Sequence, residues 1–525
     1  MKRALGVLGL AVLLVFAHSV NTVAAPVCAT CHPGETARFL KSAMGNSLTV
    51  PAPLPAGKVT HPRSQGEITI EQRDRKMIHR LSEGGLTAEY PIQYQVGGAL
   101  MGRTYLVQIR DSLFESPASW FNRSGWDVSP GYQSMALIDF DRPMEETCLF
   151  CHSGNARFAD ADGRRVAEPH LSAITCERCH GTTEAHVKSP SRKNIINPAR
   201  LTGPARDSVC EQCHLEGATR TLNPGKRWSD FQAGEPTEHT FATYLLSGTN
   251  AQDVIAVSHA EQLAESMCAL KSGGKLWCGN CHDPHGAVQD RPAQVRAICR
   301  SCHAQLSEAA HPAKPSECTS CHMPRREMTD IAHAAITDHR ILRRPDAVTP
   351  VQESGAPRLA AWRQPAEQVR ERDLGLAEIL VGFSRNLPGL SADGVRLLRQ
   401  MKEEEQANDP AVLSDLEGVD LQQDPVEAVR IGRRAAELQP KSAKVAMNLG
   451  IVLKRQGDYT SAEQELNRAI SLDPMLKQAY MELAMMYASQ RRMPEVSATF
   501  DRYLQENPQD ILFRLQKARL RTAAR

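Results

Sequence analysis

The sequence has little net charge, few aromatic residues and almost no long apolar runs. Its 525 residues include 62 Lys and Arg against 60 Asp and Glu, a formal net charge of +2, and 5% aromatic residues. A chain without a basic excess does not predict a nucleic-acid-binding surface. Beyond the N-terminus no apolar run approaches the about 18 residues that a membrane span needs, which excludes a polytopic membrane protein.

The N-terminal residues form the single long apolar run. Met1, Lys2 and Arg3 precede apolar residues at 4–17, and small residues follow up to Ala25. This order predicts a cleaved signal peptide at 1–25; the alternative, an uncleaved anchor, would need a longer run. We therefore expect a bacterial protein that is periplasmic or otherwise exported, without a membrane span after cleavage. Its cysteines must then be explained in an oxidising compartment.

Cysteine is the informative residue type, because 14 of the 15 cysteines lie in seven CxxCH motifs. At this composition chance predicts about 0.015 such motifs. The motif cysteines are Cys28, Cys31, Cys148, Cys151, Cys176, Cys179, Cys210, Cys213, Cys278, Cys281, Cys299, Cys302, Cys318 and Cys321. The histidines that follow them are His32, His152, His180, His214, His282, His303 and His322.

CxxCH is the attachment motif of c-type haem, and its spacing has a chemical reason. Two cysteines three residues apart lie on one face of a helical turn, where both sulfurs can reach the vinyl groups of one porphyrin. The next histidine then binds the iron from the proximal side. Zinc sites and disulfides do not require a histidine after every pair. The sequence predicts about seven covalently attached haems. The odd Cys268 is interpreted as a small buried residue near the fifth haem, with a reactive thiol or an intermolecular disulfide partner as the alternatives.

Distal iron ligands must come from the remaining histidines, all of which precede residue 340. Ten are available for seven haems once the signal-peptide histidine is set aside, so every haem could be bis-histidine. They are His61, His79, His170, His186, His239, His259, His285, His311, His333 and His339. Pro284 restricts the residue before it to extended backbone, which directs His285 away from the iron bound by His282. We expect His285 to reach another haem, among those attached at Cys299 and Cys318.

Several stretches outside CxxCH carry a resemblance to a known family. Residues 28–345 resemble bacterial multihaem c-type cytochromes of the doubled-CxxCH kind, related to the tetrahaem cytochrome that partners hydroxylamine oxidoreductase. The matching stretches are 102–106 (GRTYL), 125–132 (GWDVSPGY), 179–187 (CHGTTEAHV), 258–263 (SHAEQL), 281–285 (CHDPH), 321–324 (CHMP) and 337–340 (TDHR). Catalytic relatives often replace one proximal histidine by lysine, and this chain does not.

The resemblance also ranks the candidate distal ligands. By that resemblance, His186, His259, His285 and His339 are favoured. His61, His311 and His333 rank lower, and His79, His170 and His239 are reserves.

Residues 33–147 form a long insertion between the first and second motifs. Residues 67–71 and 92–96 alternate apolar and polar side chains, and 105–109 are rich in residues that favour strands. The pattern predicts small β-hairpins here, so the insertion is expected to be partly β within a haem domain at 26–345.

The C-terminal third lacks CxxCH and follows a different pattern. Prolines at 345, 350, 357 and 365 indicate a linker, so 346–405 is interpreted as a linker and helical segment. Pro440, Pro474 and Pro508 then recur every 34 residues, the tetratricopeptide period. This predicts about three tetratricopeptide units at 406–525, with an ordinary helical bundle as the alternative. Such repeats dock partner proteins, here a redox partner.

These observations together predict a mainly α protein: a haem-cored cytochrome c domain with few strands, plus an α-solenoid that folds independently of it. The predicted function is electron transfer along a chain of haems, without catalysis. The alternative is a multihaem oxidoreductase that acts on a small nitrogen or sulfur compound at one haem with an open distal site.

Overall fold

A computed structural model describes residues 27–97, 101–168, 170–247, 255–286, 292–305, 318–331, 333–343 and 355–523. The predicted signal peptide and His311 lie outside the described residues. No helix within these ranges is both long enough and apolar enough to cross a membrane.

The N-terminal insertion folds into a ten-stranded antiparallel sheet. Its strands are β1 (Leu48–Thr49), β2 (Gly57–Thr60), β3 (Glu67–Arg73), β4 (Lys76–Glu83), β5 (Leu86–Val96), β6 (Gly102–Ile109), β7 (Ser112–Glu115), β8 (Ala118–Phe121), β9 (Gly125–Val128) and β10 (Arg142–Pro143). The order is β10-β7-β6-β5-β4-β3-β2, with β1 on β5, β8 on β6 and β9 on β8. We call this part the β unit.

The β unit corrects the expectation of a mainly α protein with few strands, which is wrong. Alternation is visible at β3, where Ile68 and Ile70 are buried, and the left-handed pair Asp74–Arg75 makes the tight turn into β4. By contrast, all four side chains of β7 are buried, so that strand shows no alternation. A strand covered on both faces cannot be told from a buried helix by period alone, and although β7 forms a tight hairpin with β6, its pairing with β10 is not local.

The haem-motif region is built from short helices joined by loops. Its helices are α1 (Pro33–Phe39), α2 (Glu146–His152), α3 (Glu177–His180), α4 (Glu184–Lys188), α5 (Gly203–His214), α6 (His259–Glu265), α7 (Met267–Ser272), α8 (Cys278–Cys281), α9 (Pro292–Cys302) and α10 (Cys318–His322). Its strands are β11 (Thr219–Leu222), β12 (Phe241–Ser247), β13 (Arg325–Glu327), β14 (Ala335–Thr337) and β15 (Arg358–Ala361).

Strand β15 ties the segment after the last motif to the haem-motif region. It pairs with β12 in the three-stranded sheet β11-β12-β15, although it lies in the segment interpreted as a linker. Two residues later, Arg363 binds Glu238 at 3.0 Å and also binds Glu211, on the motif-bearing helix α5. Residues 358–363 therefore belong structurally with the haem motifs.

The C-terminal third is an antiparallel array of helices. They are α11 (Glu367–Ser384), α12 (Pro388–Gln400), α13 (Glu403–Ala407), α14 (Pro410–Gln423), α15 (Pro425–Leu438), α16 (Ala443–Gln456), α17 (Tyr459–Leu472), α18 (Lys477–Ser489), α19 (Met493–Glu506) and α20 (Ile511–Ala523). Each recurring proline directly follows the C-cap of a second helix, at α15, α17 and α19, where it stops the helix from continuing. Gly450 lets α16 and α17 touch, because a Cβ there would lie 2.8 Å from Leu466 Cγ.

The repeats pack against the β unit rather than standing apart from it. Met475 and Ile511 join the apolar core of the β unit. Arg164 binds Asp473 at 2.7 Å, and both side chains are buried. Lys477 contacts Asp141 at 2.5 Å and Asp510 at 2.8 Å. The two parts therefore share an interface, which differs from the expected independence.

Candidate haem sites

All seven CxxCH motifs line one continuous cavity of about 4820 Å³. Ordinary ligand pockets measure about 300–1,000 Å³, so this space is several times larger. Every motif cysteine and every motif histidine belongs to its lining. The interior of this region is thus shaped for several large groups rather than for a packed apolar core.

Each CxxCH motif forms a turn of helix. The backbone N–H of His32 donates to Cys28 O at 2.7 Å, and His180, His282 and His303 repeat this bond to the first cysteine of their motifs at 2.9 Å. This i to i+4 bond places both cysteines on one face. His180 Nδ1 lies 2.7 Å from Ile196 O, a contact that leaves Nε2 free to bind a metal.

Four non-motif histidines also line the cavity, and each faces a motif histidine. Ring centres are 6.3 Å apart for His32 and His186, 5.9 Å for His180 and His285, 6.2 Å for His282 and His339, and 5.5 Å for His214 and His259. A metal binds an imidazole nitrogen at about 2 Å, so two imidazoles on opposite sides of one metal have ring centres about 6 Å apart. The donor set therefore fits a six-coordinate haem iron.

The surroundings of these histidines suit metal binding. His186 Nδ1 lies 3.0 Å from Ser191 O, and His339 Nδ1 lies 2.8 Å from Thr337 O, so in both Nε2 is left for a metal. Burial lowers the pKa of His259 to about 3, and burial also lowers the pKa of His214 and His339. These imidazoles are neutral, which is the form that binds iron.

The position of His285 differs from the expectation that it reaches the motifs at Cys299 and Cys318. Its ring lies nearly parallel to that of His180, with an interplanar angle of 8° and ring centres 5.9 Å apart. His285 thus faces His180 rather than His282, and nothing in the local sequence specifies which of the other motifs it faces. That choice depends on how residues about 100 positions apart are brought together.

Other candidate histidines do not line this cavity. His61 is fully buried, with Nδ1 2.9 Å from Ser64 Oγ and Nε2 3.0 Å from Tyr132 O, so both ring nitrogens are used. His79 lies in the core of the β unit, with Nδ1 2.7 Å from Ser116 Oγ. His333 Nε2 lies 2.7 Å from Asp127 Oδ2. His170 and His239 are exposed.

Cysteine contacts give the spatial neighbours of the motifs. The thiols of Cys28 and Cys176 interact, as do those of Cys151 and Cys213, Cys210 and Cys278, and Cys299 and Cys318. Numbered along the chain, motif 1 therefore neighbours motif 3, motif 2 neighbours motif 4, motif 4 neighbours motif 5, and motif 6 neighbours motif 7. Cys268 lines the same cavity and lies near Cys302 of motif 6.

A polar cluster from the β unit also lines the cavity, and no motif or local sequence pattern indicates it. Glu115 is only 9% exposed and binds Arg142 at 2.7 Å, with Thr104 Oγ1 at 3.4 Å. Its carboxylate lies close enough to Cys148 to affect that thiol. Burial raises the pKa of Glu115 to about 7 in spite of Arg142. The cluster thus places a protonatable group beside motif 2.

Comparison with known proteins agrees with this architecture. The family "Cytochrome c554 and c-prime" matches residues 131–181, "Doubled CXXCH motif" matches 269–308, and "Tetratricopeptide repeat" matches 422–475 and 447–511. These matches support a multihaem cytochrome fused to tetratricopeptide repeats, with haem c bound covalently at CxxCH motifs.

One curated relative is the multiheme cytochrome MtrA of Shewanella baltica. It is 24% identical over 176 residues, which cover 30% of this chain and 53% of MtrA. The chain thus matches about half the length of that relative.

Among solved structures, one of MamA has a TM-score of 0.24 at 19% identity, over 27% of this chain and 81% of MamA. One of YrrB, a tetratricopeptide protein, has a TM-score of 0.25 at 17% identity, over 29% of this chain and 76% of YrrB.

Proposed function

We propose that the protein is an exported electron carrier that moves electrons through about seven covalently bound haems and docks a partner protein through its repeats. The observation that carries the proposal is the set of four facing histidine pairs within one cavity. Six-coordinate sites of this kind leave no iron position for a substrate, and they favour electron transfer over catalysis.

The chain's own residues would fix the redox sites. The motif cysteines hold each porphyrin, and motif histidines ligate the iron, with His186, His285, His259 and His339 opposite motifs 1, 3, 4 and 5. Backbone carbonyls at Ile196, Ser191 and Thr337 keep three of these imidazoles oriented. When bound, haem supplies reversible one-electron chemistry.

The order in which the motifs neighbour one another in space would set the path of electrons through the haems. Contacts between cysteines of motifs 1 and 3, 4 and 5, and 6 and 7 support a linear series, and motif 2 is attached at motif 4 as a branch. Cys179 lies near Cys210, which connects motif 3 to motif 4, and Cys281 lies near Cys299, which connects motif 5 to motif 6. Electrons would then pass in the order 1, 3, 4, 5, 6 and 7, which differs from the order along the chain.

A second candidate function, catalysis as an oxidoreductase, is favoured only at motif 2. In the described part of the cavity, the four non-motif histidines are matched by other motifs, so motif 2 has none opposite His152. The same wall carries Glu115 with a raised pKa, next to Arg142. A protonatable carboxyl beside an open haem is what an oxidoreductase of a small nitrogen or sulfur compound would need. His311, a further candidate distal ligand, lies outside the described residues.

The test is a haem count followed by electron paramagnetic resonance of the oxidised protein. A pyridine haemochrome assay should give about seven haems per chain, and about five or fewer would contradict the proposal. Low-spin signals from all haems would support a pure carrier. A high-spin signal that changes when Glu115→Gln is introduced would favour the oxidoreductase.

A further inference from the structure

We propose that residues 184–200 form a docking surface for an acidic redox protein, through which electrons enter or leave at motifs 1 and 3. The inference rests on the proposed electron-carrier function and deepens it by assigning a second docking site, separate from the repeats, and the charge of the partner that binds there. We call residues 184–200 the entry loop.

The entry loop is joined to the ligands of two haem sites. It contains His186, which faces His32 of motif 1. Its Ile196 carbonyl accepts a hydrogen bond from His180 of motif 3 at 2.7 Å. A partner bound to the entry loop would therefore lie close to the haem sites of motifs 1 and 3. Motif 1 is also one end of the proposed electron-transfer series.

The entry loop is held in place, so its surface is defined. Asn194 Nδ2 donates to Ser189 O at 2.7 Å and to Ala185 O at 3.2 Å, and its Oδ1 lies 3.2 Å from His186 Nδ1. The amide thus bridges α4 and the loop after it. A preformed surface binds a partner without the entropy cost of ordering a mobile loop.

Positive charge dominates this surface. The loop carries four cations, Lys188, Arg192, Lys193 and Arg200, all of them exposed, against one carboxylate, Glu184. Within the described part of the chain, none of the four cations forms an ion pair with a carboxylate. Val187, which precedes Lys188 in α4, is exposed and also lines the haem cavity, so the charge rather than this residue defines the surface. A set of exposed cations fits a protein surface of opposite charge.

The alternative explanation for this positive charge is that it neutralises haem propionates. The two lysines of the entry loop distinguish that explanation from a docking surface. Arg192 and Arg200 line the haem cavity, so they are placed to neutralise propionates. Lys188 and Lys193 do not line it. Their charges face solvent, and seven haems would add about 14 propionates and make the holoprotein acidic as a whole. The loop is then a local basic area on an acidic molecule, which orients an acidic partner.

The experiment compares the double variant Lys188→Glu/Lys193→Glu with a matched control, Lys76→Glu/Lys441→Glu. The control lysines are exposed on β4 and before α16, away from the entry loop. Reduction of the holoprotein by an acidic flavodoxin is followed by stopped flow at low and high salt. We expect the entry-loop variant to be about 10-fold slower at low salt, with the difference lost at high salt, and the control to change less than about 2-fold.

Three outcomes are informative. Equal rates for the two variants would overturn the docking surface. Anionic vesicles that bind the wild type but not the entry-loop variant, with unchanged flavodoxin rates, would reassign the loop to a membrane surface. If dithionite fails to reduce a fully haem-loaded wild type, the electron-carrier function itself fails, whatever the variants do.

Discussion

Replacing Lys477 by Met tests whether the repeats and the β unit are held together by a buried charge cluster. Lys477 lies at the start of α18 with its side chain 16% exposed, and its Nζ is 2.5 Å from Asp141, 2.8 Å from Asp510 and 3.6 Å from Asp139. The carboxylate oxygens of the three aspartates lie within 4.8 Å of one another. Without the ammonium, they are left as like charges in a buried site.

The expected loss of unfolding free energy is about 3–5 kcal/mol, the usual result of removing one partner from a buried ion pair. Lys444→Met is the matched control at the same interface, because its ion pair with Glu145 at 3.0 Å is more exposed, at 41% for Lys444 and 29% for Glu145. That variant should lose no more than about 1 kcal/mol.

The pH dependence gives a second signature. Burial and the neighbouring Asp510 raise the pKa of Asp139 to about 8, against about 3.9 in an unfolded chain. Between these values the folded state holds the extra proton, so stability falls as pH rises from about 4 to about 8. Lys477→Met removes the compensating cation and strengthens this trend. The loss of unfolding free energy in Lys477→Met, relative to the wild type, should therefore be largest near pH 8 and smallest near pH 5.

Urea unfolding of the holoprotein, followed by far-ultraviolet circular dichroism at both pH values, measures these changes. The double variant Lys477→Met/Asp139→Asn should recover part of the loss. If Lys477→Met is as mild as Lys444→Met, or equally destabilising at both pH values, the cluster does not hold the interface in the way proposed.

Three further predictions concern a ligand, a helix contact and a boundary. His285→Ala should make the haem attached at Cys176 high-spin; an electron paramagnetic resonance spectrum like that of the wild type would contradict this assignment. Gly450→Val should cost about 1–3 kcal/mol in urea unfolding because its Cβ meets Leu466, whereas Gly389→Ala, with open space around it, should cost nothing. Truncation after residue 345 should preserve the haem count but unfold at lower urea than truncation after 365, which keeps β15; equal midpoints would show that β15 adds no stability.

Local chemistry was predictable from the sequence. The CxxCH spacing needs only one helical turn, and Pro440, Pro474 and Pro508 stop helices by a local clash, so both features could be located without knowing the fold. The ligand ranking came from family resemblance. Its four favoured histidines are the ones that line the cavity, among the residues that the structure describes.

Non-local pairing was not predictable in the same way. Glu115 and Arg142 come together only because β7 pairs with β10 across 27 residues. His61 looked like a free ligand, but Ser64 and the Tyr132 carbonyl satisfy both of its nitrogens. Lys477 meets Asp141 across the interface between repeats and β unit, and nothing local in either segment indicates that contact.

The pairing of His32 with His186 has a consequence for when the first haem site is completed. His186 follows His32 by 154 residues. A chain that emerges from an export channel N-terminus first exposes Cys28 and Cys31 long before the distal ligand arrives. On the proposed pairing, the first porphyrin to be attached must wait with one vacant iron position until α4 has been delivered. On that pairing, about a third of the chain must cross before the first haem site can gain its second histidine.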